Sequence, residues 1–136
     1  NSRLDELQAG LLRVKLRHIQ EINQEREQIC KRYLSCICNE KILLHQIDYD
    51  VTTVWHQFVV RCQERDKLID YLSQNGIGSS IHYPIPPHMS EAYKDLGIKP
   101  GTLPVTEKYA NEVLSLPLYN GMGIEQDKVI ETINKF

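Results

Sequence analysis

The stretch VTTVWHQFVVRCQERDKLIDYLSQNGIGSSIHY, residues 51–83, decides the fold of this 136-residue chain. Side chains alternate in character over residues 51–62, which is typical of a strand. One face of that strand holds Val54, His56, Phe58, Val60 and Cys62, and the other holds Trp55, Gln57, Val59 and Arg61. Residues 64–74 predict a helix that Asn75-Gly76 closes with a left-handed cap. Residues 77–83 predict a second strand, so the stretch reads β-α-β.

A long helix is predicted before this unit, over residues 2 to about 34. Ser2 and Asp5 have the form of a capping box, in which each side chain bonds an unpaired backbone N–H. Apolar residues then recur at three- and four-residue steps, with one slip in the pattern. They are Leu4, Leu7, Leu11, Val14, Ile19, Ile22, Ile29, Tyr33 and Leu34. Because this helix is longer than its own small domain needs, we expect it to bridge two domains or to form a partner surface.

Shorter elements are predicted after the unit. Prolines at 84, 86 and 87 prevent ladder pairing and predict an extended loop. The elements that follow are a short helix at 90–96, a helix that begins at Pro104 and continues to 113, a strand at 114–118 and a final helix at 124–136.

The predicted fold class is therefore α/β (α+β). We expect a small sandwich of about three mixed or antiparallel strands, with helices mainly on one face, after the long N-terminal linking helix. The boundary is predicted after residue 38: residues 1–38 belong to the linking helix, and residues 39–136 form a small C-terminal α/β domain.

The composition is that of an ordinary globular protein. Sixteen Lys and Arg against eighteen Asp and Glu leave a formal net charge of −2, so no basic face for nucleic acid is expected. No apolar run approaches the roughly 20 residues of a membrane helix, and no leader opens the chain, so we expect a cytoplasmic protein. The chain begins without Met, which we interpret as a piece of a longer protein.

Four cysteines raise the question of a metal site. Cys30, Cys36 and Cys38 have the spacing C-x5-C-x-C, with His45 beyond them, and Cys62 is distant. This matches none of the usual paired zinc patterns. We expect no metal and free thiols in a core or on a helix face.

Two clusters could carry chemistry. His82, Tyr83 and His88 lie in residues 81–88, IHYPIPPH, where prolines hold the chain extended and lower the entropy cost of fixing the side chains. His and Tyr can hydrogen-bond or stack against a sugar, a phosphate or a base; alternatively, the rings merely satisfy backbone groups in a turn. The second cluster, Asn1-Ser2-Arg3, is either an anion site at a helix start or a plain helix cap.

The sequence resembles the DegT family of sugar aminotransferases in three stretches. These are residues 1–10 (NSRLDELQAG), residues 77–88 with Ala92-Tyr93, and residues 104–118, with PVTE at the start and LSLPL at the end. Members are fold-type-I pyridoxal-phosphate enzymes that aminate keto groups on nucleotide-linked sugars. The resemblance covers nearly the whole chain. It implies the C-terminal portion of such an enzyme, with the small domain of the aspartate-aminotransferase-like fold.

The resemblance also implies what this chain does not hold. The family's catalytic lysine, the aspartate that pairs with the pyridine nitrogen and the ring-stacking aromatic lie upstream of Asn1. Lys15, Lys31 and Lys41 are in the wrong context to replace that lysine, so no catalytic residue is expected here and the isolated chain should be inactive. In the full-length protein the resemblance implies pyridoxal 5'-phosphate, glutamate as amino donor, and a homodimer with shared active sites. The nearest branch acts on a thymidine-diphosphate 3-keto-6-deoxyhexose.

Residue roles follow from the resemblance in the same way. Asn1 is similar to the residue that reaches the cofactor phosphate of the neighbouring subunit, and Arg3 to an arginine near that site and the substrate phosphates. His82 and Tyr83 resemble the pair that lines the nucleotide-sugar pocket. His88 matches in type, as a substrate-binding residue or as a brace of the loop.

Two other classes of function stay open at this point. One is a non-catalytic binding or regulatory module that reuses the same domain. The other is a helical interaction module built on residues 2–34, whose partner binding would survive deletion of residues 51–136.

Overall fold

The computed structural model describes residues 3–136 and combines helices with a small sheet. The helices are α1 (Glu6–Leu16), α2 (Ile19–Cys36), α3 (Arg65–Gln74), α4 (Pro104–Glu112) and α5 (Glu125–Asn134), and the strands are β1 (Phe58–Arg61) and β2 (Val113–Leu116). Two short 3-10 helices, Pro87–Met89 and Glu91–Leu96, lie between α3 and α4. The mixed α and β content agrees with the predicted class.

The long N-terminal helix is in fact two helices. A turn at Arg17 and His18 separates α1 from α2, at the place where the apolar pattern slips. The predicted capping box is also wrong: Asp5 is itself the N-cap, and its carboxylate accepts the N–H of Leu7 at 2.7 Å. Ser2, the other half of that box, lies outside the described residues.

The sheet has two antiparallel strands, not about three. Its register pairs Phe58 with Leu116, Val59 with Ser115, Val60 with Leu114 and Arg61 with Val113. The strand predicted over residues 77–83 is reduced to a single antiparallel bridge between Ser80 and Ser115, and Leu43 forms the matching bridge to Arg61 on the other edge. Pairing beyond Ser80 stops because the prolines that follow cannot donate to a ladder.

The predicted strand over residues 51–62 is also shorter than expected. Phe58, Val60 and Cys62 are buried, as the alternation predicts, but Trp55 is buried instead of its neighbour Val54. Trp55 adopts a φ of +50°, a left-handed conformation that is uncommon outside glycine. That turn reverses which side chains face inward, so the regular strand begins only at Phe58.

Arg26 of α2 holds this turn in place. Its Nε donates to the carbonyl of Trp55 at 2.9 Å, and its Nη2 donates to the carbonyl of His56 at 2.8 Å. A third donor, Nη1, reaches Oδ1 of Asn120 at 3.4 Å. One guanidinium therefore ties α2 to the segment that leads into β1 and to the turn before α5.

The core lies between the sheet and the helices α2, α3 and α5. Its fully buried larger side chains are Tyr33, Phe58, Leu68, Leu72, Leu114, Ile133 and Val60. The apolar face predicted for the last helix is confirmed by burial of Val129, Ile130 and Ile133. On the other side of β1, the guanidinium of Arg61 stacks on the ring of Tyr109 from α4 at 3.8 Å.

Helix α1 contributes nothing to this core. None of its residues is buried, and its large apolar residues are all more than 40% exposed; they are Leu7, Leu11, Leu12, Val14 and Leu16. Nothing in the described part of the chain therefore covers the apolar stripe that the sequence predicts on this helix.

Within residues 3–136, no helix combines the length and the apolar character needed to cross a membrane.

Candidate functional site

The predicted pair His82 and Tyr83 is anchored on the edge of the sheet. Ser115 of β2 donates its backbone N–H to the carbonyl of Ser80 at 2.8 Å and accepts the N–H of Ser80 at 3.2 Å. Two residues further on, Nδ1 of His82 shares a hydrogen bond of 2.9 Å with Oγ of Ser115. The bridge brings the chain alongside β2, and the Ser115 hydroxyl fixes one ring nitrogen of an otherwise exposed histidine.

Tyr83 stands beside this histidine and faces solvent. Its side chain is 77% exposed, and its ring meets the His82 ring edge-on, with 5.9 Å between the centroids. The pair therefore presents an imidazole and a phenol together on one surface. Such a surface can hydrogen-bond polar groups and stack on a planar or a sugar ring.

His82 lines an open cavity of about 270 Å³. Polar and apolar residues share its lining, among them His56, Gln57, Ser80, Ser115 and Leu118. A second open cavity of about 420 Å³ shares His56 and Gln57 with it and extends past Trp55 to Asp48. Sequence reasoning missed His56 and Gln57 as site residues, although their polar side chains immediately before an apolar strand were a signal for them.

His88 is placed differently from the exposed pair. It is buried, and its Nε2 donates to Oε1 of Glu107 at 3.1 Å. The same carboxylate accepts the backbone N–H of Gly101, at 2.9 and 2.8 Å to its two oxygens, and that of Leu103 at 3.3 Å. His88 thus braces the loop that follows Tyr83 and does not present its ring at the surface. Glu107, which the sequence did not single out, is the centre of this brace.

The Glu107 brace predicts a pH dependence of stability. The N–H of Gly101 is the main cause that lowers the pKa of this carboxyl below its ordinary value of 4.5, with His88 and Leu103 contributing. Because the folded pKa is lowered, the ionised carboxylate stabilises the fold above pH 4.5, and this contribution is lost as pH falls through the folded pKa. We expect Glu107→Gln to lower the urea midpoint at neutral pH and to have less effect as pH falls below 4.5.

The matched control for this prediction is Glu91→Gln. That carboxylate pairs with Lys94, and both side chains are mostly exposed, so its removal should change the midpoint little at either pH. An equal loss for Glu107→Gln at both pH values would contradict the role of its charge.

The second predicted cluster is only partly described. Asn1 and Ser2 lie outside the described residues, and Arg3 is exposed before α1. The helix itself begins at Glu6, and the carboxylate of Asp5 occupies the N–H of Leu7. The N-cap of α1 is therefore acidic, and a second acidic residue, Glu6, follows it in the first turn.

The thiols do not assemble into a site. Burial raises the pKa of Cys30 to about 12 and also raises that of Cys62, so both behave as core residues. Cys36 and Cys38 are exposed. Among residues 3–136, no group of three or more His, Cys, Asp and Glu side chains is arranged to hold a metal ion.

Comparison with known proteins shows similarity to a family of aminotransferases. The family model described as the DegT/DnrJ/EryC1/StrS aminotransferase family matches residues 1–134. The solved structure of S. venezuelae DesV in complex with a ketimine intermediate matches with a TM-score of 0.95 and 39% identity. That match covers 99% of this chain and 37% of the DesV chain.

Two curated relatives match to a similar extent. The erythromycin biosynthesis sensory transduction protein EryC1 of Saccharopolyspora erythraea is 44% identical over 98% of this chain. The dTDP-3-amino-3,6-dideoxy-alpha-D-galactopyranose transaminase of Aneurinibacillus thermoaerophilus is 42% identical over 100% of this chain. In each case the match covers 37% of the relative, so the chain spans little more than a third of the length of these proteins.

Proposed function

Because the chain belongs to the DegT/DnrJ/EryC1/StrS aminotransferase family, we propose that it is the C-terminal part of a sugar aminotransferase that transfers an amino group from glutamate to a keto-sugar nucleotide. The observation that carries this proposal is the exposed His82–Tyr83 pair, fixed to β2 through His82 beside an open cavity. The pair lies in the stretch that resembles the family's substrate loop.

We assign His82 and Tyr83 to binding of the nucleotide sugar. An imidazole N–H can donate to a phosphate oxygen or a sugar hydroxyl, and a phenol can donate, accept or stack. His88 and Glu107 hold the loop that carries the pair, and Asn1 and Arg3 serve the cofactor phosphate and the substrate phosphates of the neighbouring subunit. A dTDP-linked 3-keto-6-deoxyhexose is the substrate we favour. The Aneurinibacillus relative, which is named a dTDP-3-amino-3,6-dideoxy-alpha-D-galactopyranose transaminase, supports this choice.

The full-length protein, in this proposal, carries a large domain that covers α1. Residues 1–38 link the two domains, and residues 39–136 form the small C-terminal domain of an aspartate-aminotransferase-like homodimer. The bare apolar stripe of α1 supports this arrangement, since exposed leucines and valines on one helix are typical of a covered surface. We place this protein in the cytoplasm, with no nucleic acid or membrane as partner.

We propose pyridoxal phosphate as the cofactor of the full-length protein, although residues 3–136 do not complete a site for it. A Schiff-base lysine needs a desolvated amine. Lys31 instead pairs with Glu27 at 2.8 Å and Lys41 with Glu64 at 3.6 Å, both on the surface, and Lys15 is exposed on α1. We propose that the reactive lysine comes from outside this chain, which the surface positions of these three lysines support. When bound, the cofactor supplies the electron sink for amino transfer.

A binding or regulatory module is the second candidate. It is favoured by the name of the EryC1 relative, which describes a sensory transduction protein. The two candidates differ in one feature of the full-length protein: the enzyme requires a lysine-bearing large domain joined to this chain, and the module does not.

The test of the proposed enzyme uses His82→Ala and Tyr83→Phe in the full-length protein. Each variant should weaken nucleotide-sugar binding by on the order of 1–3 kcal/mol, which is roughly 5- to 150-fold in kcat/KM. Cofactor absorbance and the half-reaction with glutamate should stay unchanged, because the pair contacts the sugar nucleotide. Tyr71→Phe is the matched control, since Tyr71 packs on Phe136 away from the cavity. Unchanged sugar kinetics together with a lowered Tm would assign the pair to structure alone.

A further inference from the structure

We propose that Ser115 is a positioning residue that orients His82 for the nucleotide sugar. The inference rests on the proposed function, since it concerns how the sugar-binding histidine is presented. Ser115 lies 33 residues from His82 in sequence, and the two meet through the 2.9 Å contact between Oγ and Nδ1.

Ser115 is held more rigidly than the residue it contacts. It is 6% exposed within β2, and its backbone N–H and carbonyl both bond Ser80. Its hydroxyl therefore projects from a fixed strand towards a loop. His82 is exposed, so its ring has few contacts of other kinds to limit rotation. The single hydrogen bond to Ser115 then restricts the rotation of the ring.

The bond also determines which ring nitrogen is available. When the Ser115 hydroxyl donates to Nδ1, the neutral ring carries its proton on Nε2. Nε2 is then an N–H donor that points away from β2. Oxygen atoms of a diphosphate or a sugar hydroxyl are the acceptors that such a donor binds, and no positive charge is needed for the contact. The hydroxyl thus prepares His82 before the ligand arrives.

The bond gives the buried Ser115 hydroxyl a partner, as buried polar groups require, and it also restricts an exposed ring whose two nitrogens water could otherwise satisfy. Loss of the Ser115 hydroxyl removes one buried polar atom and leaves the backbone bridge to Ser80 intact. Its main consequence should be a freely rotating His82, which lowers the fraction of protein in the binding-competent arrangement.

The test is a double-mutant cycle in the full-length holoenzyme with a dTDP-linked amino sugar as the probe, read in the reverse direction. Ser115→Ala should raise KM for this probe roughly 2- to 12-fold, with kcat and the glutamate half-reaction little changed. In a His82→Ala background, the same substitution should have no further effect on KM, because Ser115 acts through the histidine. Ser115→Thr, which keeps a hydroxyl, should retain most of the binding.

The possible results separate this inference from the proposed function. If His82→Ala leaves KM for the probe unchanged, the proposed function of the pair fails. If His82→Ala raises KM but Ser115→Ala does not, or if the two effects add in full, the positioning role is overturned. Should Ser115→Ala not fold, Ser115→Cys replaces it, because a thiol of similar size is a weaker hydrogen-bond partner.

Discussion

Two inactive variants of the full-length protein are expected to regain activity when they are refolded together. One variant lacks the Schiff-base lysine, and the other carries Asn1→Ala with Arg3→Ala. If Asn1 and Arg3 serve the neighbour's active site, each mixed dimer contains one site with both lesions and one with neither. Random pairing makes half of the dimers mixed, so about one quarter of the wild-type activity should return in the mixture and about one half in the isolated heterodimer.

This result depends on Asn1 and Arg3, which precede Asp5 in the sequence. The Asp5 carboxylate accepts the N–H of Leu7 at the start of α1, so a negative charge already stands at the helix terminus where the sequence allows an anion site or a plain cap. Arg3 is exposed, and α1 offers a bare apolar stripe along which another domain can pack. An arginine fork held at the edge of such a contact is suited to a phosphate group across a subunit boundary.

The measurement is transaminase turnover after co-refolding of differently tagged variants and isolation of the heterodimer. Each variant refolded alone provides the background, and cofactor absorbance of the heterodimer reports whether its sites are loaded. Heterodimers that are purified, loaded and still as inactive as their parents would assign Asn1 and Arg3 to their own subunit's helix cap.

The sequence predicts most of the elements that depend on local patterns. The apolar faces of α3 and α5, the start of α4 at Pro104 and the glycine cap after α3 all agree with the structure; Gly76 has a φ of +71°. These features depend on neighbours within one helical turn. The shortening of the strand predicted over residues 51–62 has a non-local cause, because Arg26 binds the turn at Trp55 from a different helix. The exposed stripe of α1 is consistent with the expectation that this helix bridges two domains or forms a partner surface.

The candidate site divides in the same way. His82 and Tyr83 could be found from a local cluster of histidine, tyrosine and prolines, and the structure leaves both exposed. Ser115 and Glu107 could not be found, because each meets its histidine only after the chain has folded back, over 33 and 19 residues respectively. Residue types near a loop therefore indicate what it can bind, whereas the groups that hold the loop need the tertiary structure.

Arg26 is one such holding group, and its removal should have a large effect on stability. The Nε and Nη2 bonds to the carbonyls of Trp55 and His56 are charge-assisted; the first is partly buried and the second is exposed. They hold Trp55 in a left-handed conformation, which is costly for a bulky residue. Arg26→Met keeps much of the side-chain volume but removes every hydrogen-bond donor of the guanidinium. The carbonyls of Trp55 and His56 then lose their bonds to α2.

We expect Arg26→Met to lower the free energy of unfolding by about 2–3 kcal/mol, because it removes two bonds from a charged donor and the support of a strained turn. Urea unfolding of the 136-residue chain can be followed through Trp55, its single tryptophan, which reports directly on the affected turn. Arg32→Met on the same helix is the matched control: its ion pair with Asp127 is nearly half-exposed on both sides, so its loss should cost less than about 1 kcal/mol. Equal losses for the two variants would mean that the Trp55 turn keeps its conformation without Arg26, and that the left-handed φ is set by the packing of the indole against Phe58.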